Sequence, residues 1–524
     1  MKDETKNKMV RLLHGLIIVL IAIQPLIDMD YLFYEFLDSF GLPRFSTVLR
    51  FLILPALVIL SFVLREKKKK QTFVIAAIYG VLCIGYFFLH CRQAQALFPR
   101  LALTDNFHFG LWQELTYVLT LAIPYGMMYV FYHEHFNEEE LKKITMFLSA
   151  VTGIPIFIGD LFVFGKSTYY GYTVANFFSW FTDIYDWYHP RELASKFFFN
   201  EGNTIGILMF MVLPMMYYFF CREKDSRTRK LIGVLIFIQS MSMQILATRV
   251  ATYGAVLIPV MFLVLYLAGL FFTKKKLQKS ILVFCLSAAA VFGLILDHTP
   301  AIENQRVDAI NDTALLHNGM ADEGKALMSS LQAKDLIPGT PEFINFYVYA
   351  FETYGINARY IQSVPSMYYT EYYNYQVDPW FWAHVALDIP VFDRVSGRQI
   401  ETIFFNYKYE NLTPQEKILG MGWSTFMNGS IVLEQDFKQQ VYTLGYAGEV
   451  LLVLPWIGVL LYGMIMFLRR YKKLFTLGNV CMALALGMGL GSAWLSGHVL
   501  DQFITTSFAA LLVAVLLNRV KEAE

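Results

Sequence analysis

Charge is what this sequence has least of. Of its 524 residues only 16% are Asp, Glu, Lys or Arg, whereas 56% are hydrophobic, and mean hydropathy is +0.45. A soluble domain carries about 25% charged residues, so the composition excludes an ordinary soluble globular protein and requires lipid around most of the chain. The net charge of +1 hides cations set in short clusters between apolar runs, and no nucleic-acid signature is present. Cysteine is scarce as well: Cys83, Cys91, Cys221, Cys285 and Cys481 all sit in or beside apolar runs, which leaves no disulfide framework and no metal-ligand spacing. Heptads, tandem repeats and low-complexity tracts are missing. The start, MKDETKNKMVR, is weakly basic, but no small-residue cleavage site follows near Pro25 or Asp28. The first apolar run therefore reads as an uncleaved helix.

What is present is a series of apolar stretches, each near the roughly 20 residues that a spanning helix needs. They lie at 10–27, 45–64, 72–91, 113–133, 143–164, 203–221, 231–248, 250–272, 280–297, 443–466, 474–495 and 498–518. The pattern predicts an all-α polytopic membrane protein of about twelve transmembrane helices. Lys and Arg in short loops stay on the cytoplasmic side. The clusters Arg65–Lys70, Lys142 and Lys143, Arg222–Lys230, Lys274–Lys279, Arg469–Lys473 and Arg519–Lys521 all fall on one side of a twelve-helix path. Both termini are then cytoplasmic. The opposite side receives 28–44, 92–112, 165–202 and one long segment, 298–442, between the ninth and tenth helices. The expected organisation is 1–297 for helices one to nine, 298–442 for an extracytoplasmic cap, and 443–524 for the last three helices. The cap holds His317, His384, Arg306, Arg359, Arg394, Arg398 and an aromatic run, Met367–Trp382.

Ionisable residues at the outer membrane face are costly and need a partner or a function. Arg249, in QILATRVATYG, occupies a very short turn opposite the basic clusters, where a guanidinium can hold phosphate through paired hydrogen bonds or simply snorkel to lipid headgroups. Arg50 is placed to pair with Asp28 or Asp30, or to bind ligand. The stretch FFFNEGNTIG offers Asn200, Glu201 and Asn203 at a helix start, as caps or as hydroxyl ligands. Arg191, in the preceding aromatic loop, is a second phosphate ligand or a surface residue. Glu434 and Asp436 lie just outside the tenth helix; a carboxylate there either takes a proton from a sugar hydroxyl or is an ordinary solvated acid. His498 opens the last helix as a packed residue or a ligand. The tyrosines of 367–382 stack on sugars or form the cap's own core.

NEGN opening a helix, ATRVATYG at the seventh-to-eighth turn, a long outer loop, then LGMGWS, E-x-D-F and LGYAGEV together give a chain that resembles the O-antigen ligase and Wzy-type polysaccharide polymerase superfamily, most closely its Gram-positive branch. The resemblance implies a GT-C-like membrane glycosyltransferase of the bacterial cytoplasmic membrane with an extracytoplasmic active face. It implies a metal-independent, inverting transfer, without cofactor, of an undecaprenyl-diphosphate-linked glycan to a hydroxyl of a glycan or lipid-linked acceptor. Arg249 matches the family's basic residue at this turn; Arg191, Arg50, Arg394 and Arg398 are weaker carry-overs. The sequence departs from lipopolysaccharide ligases in having Glu434 and Asp436 where those carry a histidine, which tilts the expectation toward polymerisation or wall-glycan attachment. Two rivals are a glycosyltransferase using a lipid-monophosphate sugar, with Asp28 and Asp30 as its acids, and a flippase, which the lack of a repeat between halves disfavours.

Overall fold

A computed structural model describes residues 3–42, 44–101, 107–273, 276–317 and 431–523 and, between them, 340–342, 345–346, 348–349, 364, 367–378, 381–382, 384–385, 388–394 and 396–427. No strand occurs among these residues beyond an isolated bridge between Lys166 and Tyr172. Twelve helices are long and apolar enough to cross a membrane: α1 Glu4–Leu37, α2 Phe45–Arg65, α3 Lys69–Leu101, α4 Leu111–Glu134, α5 Glu138–Leu161, α6 Gly202–Arg222, α7 Ser226–Leu246, α8 Arg249–Phe271, α9 Lys279–Ile310, α10 Asp436–Arg469, α11 Leu477–Leu495 and α12 Phe503–Glu522. Each covers an apolar run read from the sequence. Two run past it. Beyond α9's apolar stretch a turn at 297–299 restarts a helix at Pro300, a residue suited to a first helical position because it lacks an N–H. α10 begins in polar sequence at Asp436 and kinks at Gly445, whose φ of 72° suits glycine.

The chain divides into two compact units. The first comprises 1–76, 120–305 and 456–524. Its central element is α6, with 89% of its apolar window buried. Small residues let neighbours approach: Gly153 of α5 lies against the backbone of Gln239 of α7 and accepts a 2.7 Å bond from Ser242, while Gly489 of α11 meets the sulfur of Met211. In hydrocarbon such close packing and interhelical hydrogen bonds replace the hydrophobic drive that operates in water. The basic clusters gather at one end of these helices, in networks such as His14–Glu134–Arg65 and Lys142–Glu223. The opposite end carries the turn at 28–33, the segment 162–201 and the α7–α8 and α11–α12 turns.

The second unit comprises 77–119 and 306–455. Its core is aromatic: Phe107, Tyr373, Phe381, Trp382, Phe404 and Phe426 are nearly inaccessible and meet mostly edge to face. The tyrosine-rich run thus supplies core, with Tyr368, Tyr369 and Tyr373 buried. A buried charge sits among these rings. Lys408 Nζ lies 3.0 Å from Asp378 and 2.6 Å from the Tyr373 hydroxyl. Gly420 and Gly445, both at positive φ, bring two backbones so close that a Cβ on either would overlap the other strand of chain. Of the charged residues expected in this segment, Arg359 and the His317 side chain lie outside the described residues.

Candidate functional site

The last carbonyls of α7 have no partner inside their own helix. Donors from segment 162–201 satisfy them: Ser195 N binds Ile245 O at 3.0 Å, Thr168 Oγ1 binds Leu246 O at 2.7 Å, and the Tyr169 hydroxyl binds Ala247 O at 3.0 Å. Ala247 is held at φ 57°, a left-handed conformation costly for a residue with a Cβ, and the chain turns at once into α8. Gly206 makes room beneath, since a Cβ there would stand 2.8 Å from Thr248 Oγ1. The first residue of α8 is Arg249. Its side chain is exposed and makes no hydrogen bond or ion pair with the described residues.

Arg191 belongs to the same scaffold. It follows Pro190 in a short 3-10 turn capped by the His189 ring, donates from Nε to Asn304 Oδ1 at 2.9 Å, and lies 5.5 Å above the Tyr169 ring. Tyr169 therefore bears Arg191 on its face while its hydroxyl fixes the turn that carries Arg249. Two lysines add to this end. Lys166 N donates to Phe197 O at 2.8 Å and Lys196 N to Lys166 O at 3.1 Å, so paired backbone places two like charges side by side. The Lys166 amine lies 5.0 Å from the Tyr31 ring, and that of Lys196 donates to Asn200 O at 2.9 Å. Burial holds the Lys196 amine below the ordinary lysine range; Glu201 opposes this and Lys166 adds to it. Crowded, partly dehydrated cations of this kind are stabilised when an anion joins them.

The remaining residues singled out from sequence are placed as follows. Arg50 is buried, forks onto Asp28 at 2.7 and 2.9 Å, donates from Nε to Gln24 at 3.1 Å and packs 4.8 Å over Phe503. All three of its nitrogens are engaged. Arg44 pairs likewise with Asp30 at 2.6 Å. Asn203 lies in the first turn of α6; the N-cap is Glu201, which makes no capping bond and accepts instead from Thr204 Oγ1 at 2.9 Å. His498, at φ 58° between α11 and α12, has its Nδ1 3.6 Å from Asp501.

In the second unit Glu434 is ion-paired with Arg398, and Asp436 is the buried first residue of α10. Arg394 is 2% exposed and donates to Val385 O, with burial pushing its pKa down to about 10. The structure thus joins Arg191 with Arg249 in one unit and Arg398 with Glu434 in the other. Arg50 is committed to Asp28, and Arg394 to the interior of its own unit.

Sequence reasoning passed over Lys166 and Lys196, although both are cations on a side otherwise depleted of clustered charge. It also passed over His90 and Glu114. Glu114 accepts from His90 Nε2 at 2.8 Å and from the amides of Trp423 and Ser424 at 2.9 and 2.7 Å, and Trp423 stacks on Tyr117 at 4.5 Å. The LGMGWS stretch is therefore anchored by a fully buried carboxylate. No curated protein and no solved structure matches the chain. The profile of the O-antigen ligase like membrane proteins matches residues 6–523, nearly the whole length, and the chain belongs to that family.

Proposed function

We propose that this protein transfers a glycan from a polyprenyl diphosphate, undecaprenyl diphosphate in bacteria, to a hydroxyl of a second glycan or lipid-linked acceptor, on the extracytoplasmic face of the cytoplasmic membrane. Family membership supports the glycan ligase or polymerase class. The observation that carries the finer reading is Arg249, exposed at the head of a helix and without a described partner, on one scaffold with Arg191 through Tyr169.

The chemistry asks for cations at that place. As the acceptor oxygen bonds to the anomeric carbon, the bond from that carbon to the diphosphate oxygen breaks and negative charge grows on the leaving group. Fixed guanidinium and ammonium donors, together with the positive end of α8, stabilise charge that develops only in the transition state. Attack opposite the leaving group inverts the anomeric centre. The acceptor proton passes to a base, a role that a carboxylate fills.

The test uses the full chain in nanodiscs with an undecaprenyl-diphosphate oligosaccharide, read for chain growth and for transfer to a distinct acceptor. Arg249→Ala is expected to lower kcat/KM by about 100-fold or more, the effect of removing one donor from a developing anion. Full activity in Arg249→Ala overturns the site. Donor that crosses the bilayer unchanged, with every acceptor supplied, favours transport instead.

A further inference from the structure

The first unit has a second site that the transfer reaction does not use, at the opposite end, where the basic clusters gather. A cavity of about 1540 Å³ opens there between the last turns of α6, α8 and α12, the starts of α5, α7, α9 and α11, and the segment 472–476. Its lining holds seven Lys and Arg side chains against three Glu. Existing pairs do not consume that excess. Glu223 is taken by Lys142 at 2.6 Å, and Glu138 is shared between Arg222 at 3.5 Å, Arg519 at 3.6 Å and the Tyr218 hydroxyl at 2.8 Å. Lys224, Lys276 and Lys472 make no ion pair with any described residue.

The cavity is not simply a solvated rim. Phe136, Leu265, Leu270, Phe475 and Val515 give it apolar walls. Asn518, 6% exposed, lines it too, donates its amide to Tyr132 O at 2.9 Å, and leaves its carbonyl Oδ1 buried without a partner. Loose cations and apolar walls together describe a ligand with a phosphate and an apolar portion.

We propose that this cavity is a binding site for a phosphodiester headgroup, with an anionic phospholipid of the surrounding leaflet as its source. Lys224 and Lys472 hold the phosphate, and the apolar wall takes the first carbons of the acyl chains. Basic pockets between helices on the cytoplasmic side suit such headgroups, because the phosphate neutralises cations that lipid otherwise penalises. The site is independent of the glycan-transfer reading, which concerns the other end of these helices.

Native mass spectrometry of the full chain, released from nanodiscs containing equal phosphatidylglycerol and phosphatidylcholine, measures the preference. The wild type is expected to retain phosphatidylglycerol at least 5-fold over phosphatidylcholine, and Lys224→Gln/Lys472→Gln, which alters two exposed side chains, to lose that preference. Equal retention of the two lipids by the wild type, or an unchanged preference in the double variant, overturns the proposal. Glycerol 1-phosphate in detergent separates the sources. A rise in Tm with lipid alone supports the leaflet as source, whereas an equal rise with soluble glycerol phosphate overturns that assignment.

Discussion

The Tyr169 hydroxyl donates to the carbonyl oxygen of Ala247 at 3.0 Å, two residues before Arg249. One phenol therefore couples the two arginines proposed to bind phosphate, because its ring also supports the Arg191 guanidinium. Tyr169→Phe keeps the ring and removes the tether. The expected result is a fall in kcat/KM of about 10-fold, the weight of one hydrogen bond of about 1–1.5 kcal/mol. Tyr169→Ala removes both functions and falls further. Steady-state kinetics with varied lipid-linked donor checks this. A loss confined to KM for the acceptor contradicts a role at the diphosphate.

Asp28 and Arg50 pose the opposite case, a charge pair with nothing left over for a ligand. Both oxygens of the carboxylate meet the guanidinium, Nε is taken by Gln24, and both residues are nearly inaccessible. Removing one partner strands a buried charge, so Arg50→Ala is expected to cost about 3–5 kcal/mol of stability. Replacing both with apolar residues, as in Asp28→Leu/Arg50→Met, recovers most of it. Urea or thermal unfolding in nanodiscs measures the difference. A stable but inactive Arg50→Ala assigns this arginine to substrate instead.

These two arginines also show what the sequence makes legible. Spanning helices are set by bilayer thickness, and basic loop ends by the cost of moving cations across lipid, so twelve spans could be read from composition alone. Arg249 was legible for the same reason, as a cation on the side where cations are rare. Arg50 and Asp28 were legible as a pair but not as a closed one, because only geometry shows Gln24 and Phe503 filling the remaining directions. Lys166 and Lys196 were not legible as neighbours. They are brought together by backbone pairing across an irregular segment with no periodicity to follow. His90 and Glu114 were hidden differently, as single polar residues in helices read for their apolar content, joined only when LGMGWS folds over them.

The lysine pair predicts a pH dependence whose sign follows from burial. In the folded chain the Lys196 amine loses its proton more readily than at the ordinary lysine value of 10.5, chiefly because burial penalises the charged form. Between the lowered value and 10.5 the unfolded chain binds more protons than the folded one, so stability rises with pH across that window. Below it the penalty on the charged amine is fully present. Thermal midpoints of the wild type should therefore climb through the alkaline range relative to Lys196→Met, in which this group no longer titrates. The anion proposed to bind there reverses the preference. Inorganic diphosphate favours the charged amine, and its binding in the same window should be accompanied by proton uptake, measured as a dependence of calorimetric binding enthalpy on buffer ionisation enthalpy. Lys196→Met should reduce that uptake. If proton uptake persists unchanged in Lys196→Met, this lysine does not face the diphosphate, and the cationic site narrows to Arg249, Arg191 and Lys166.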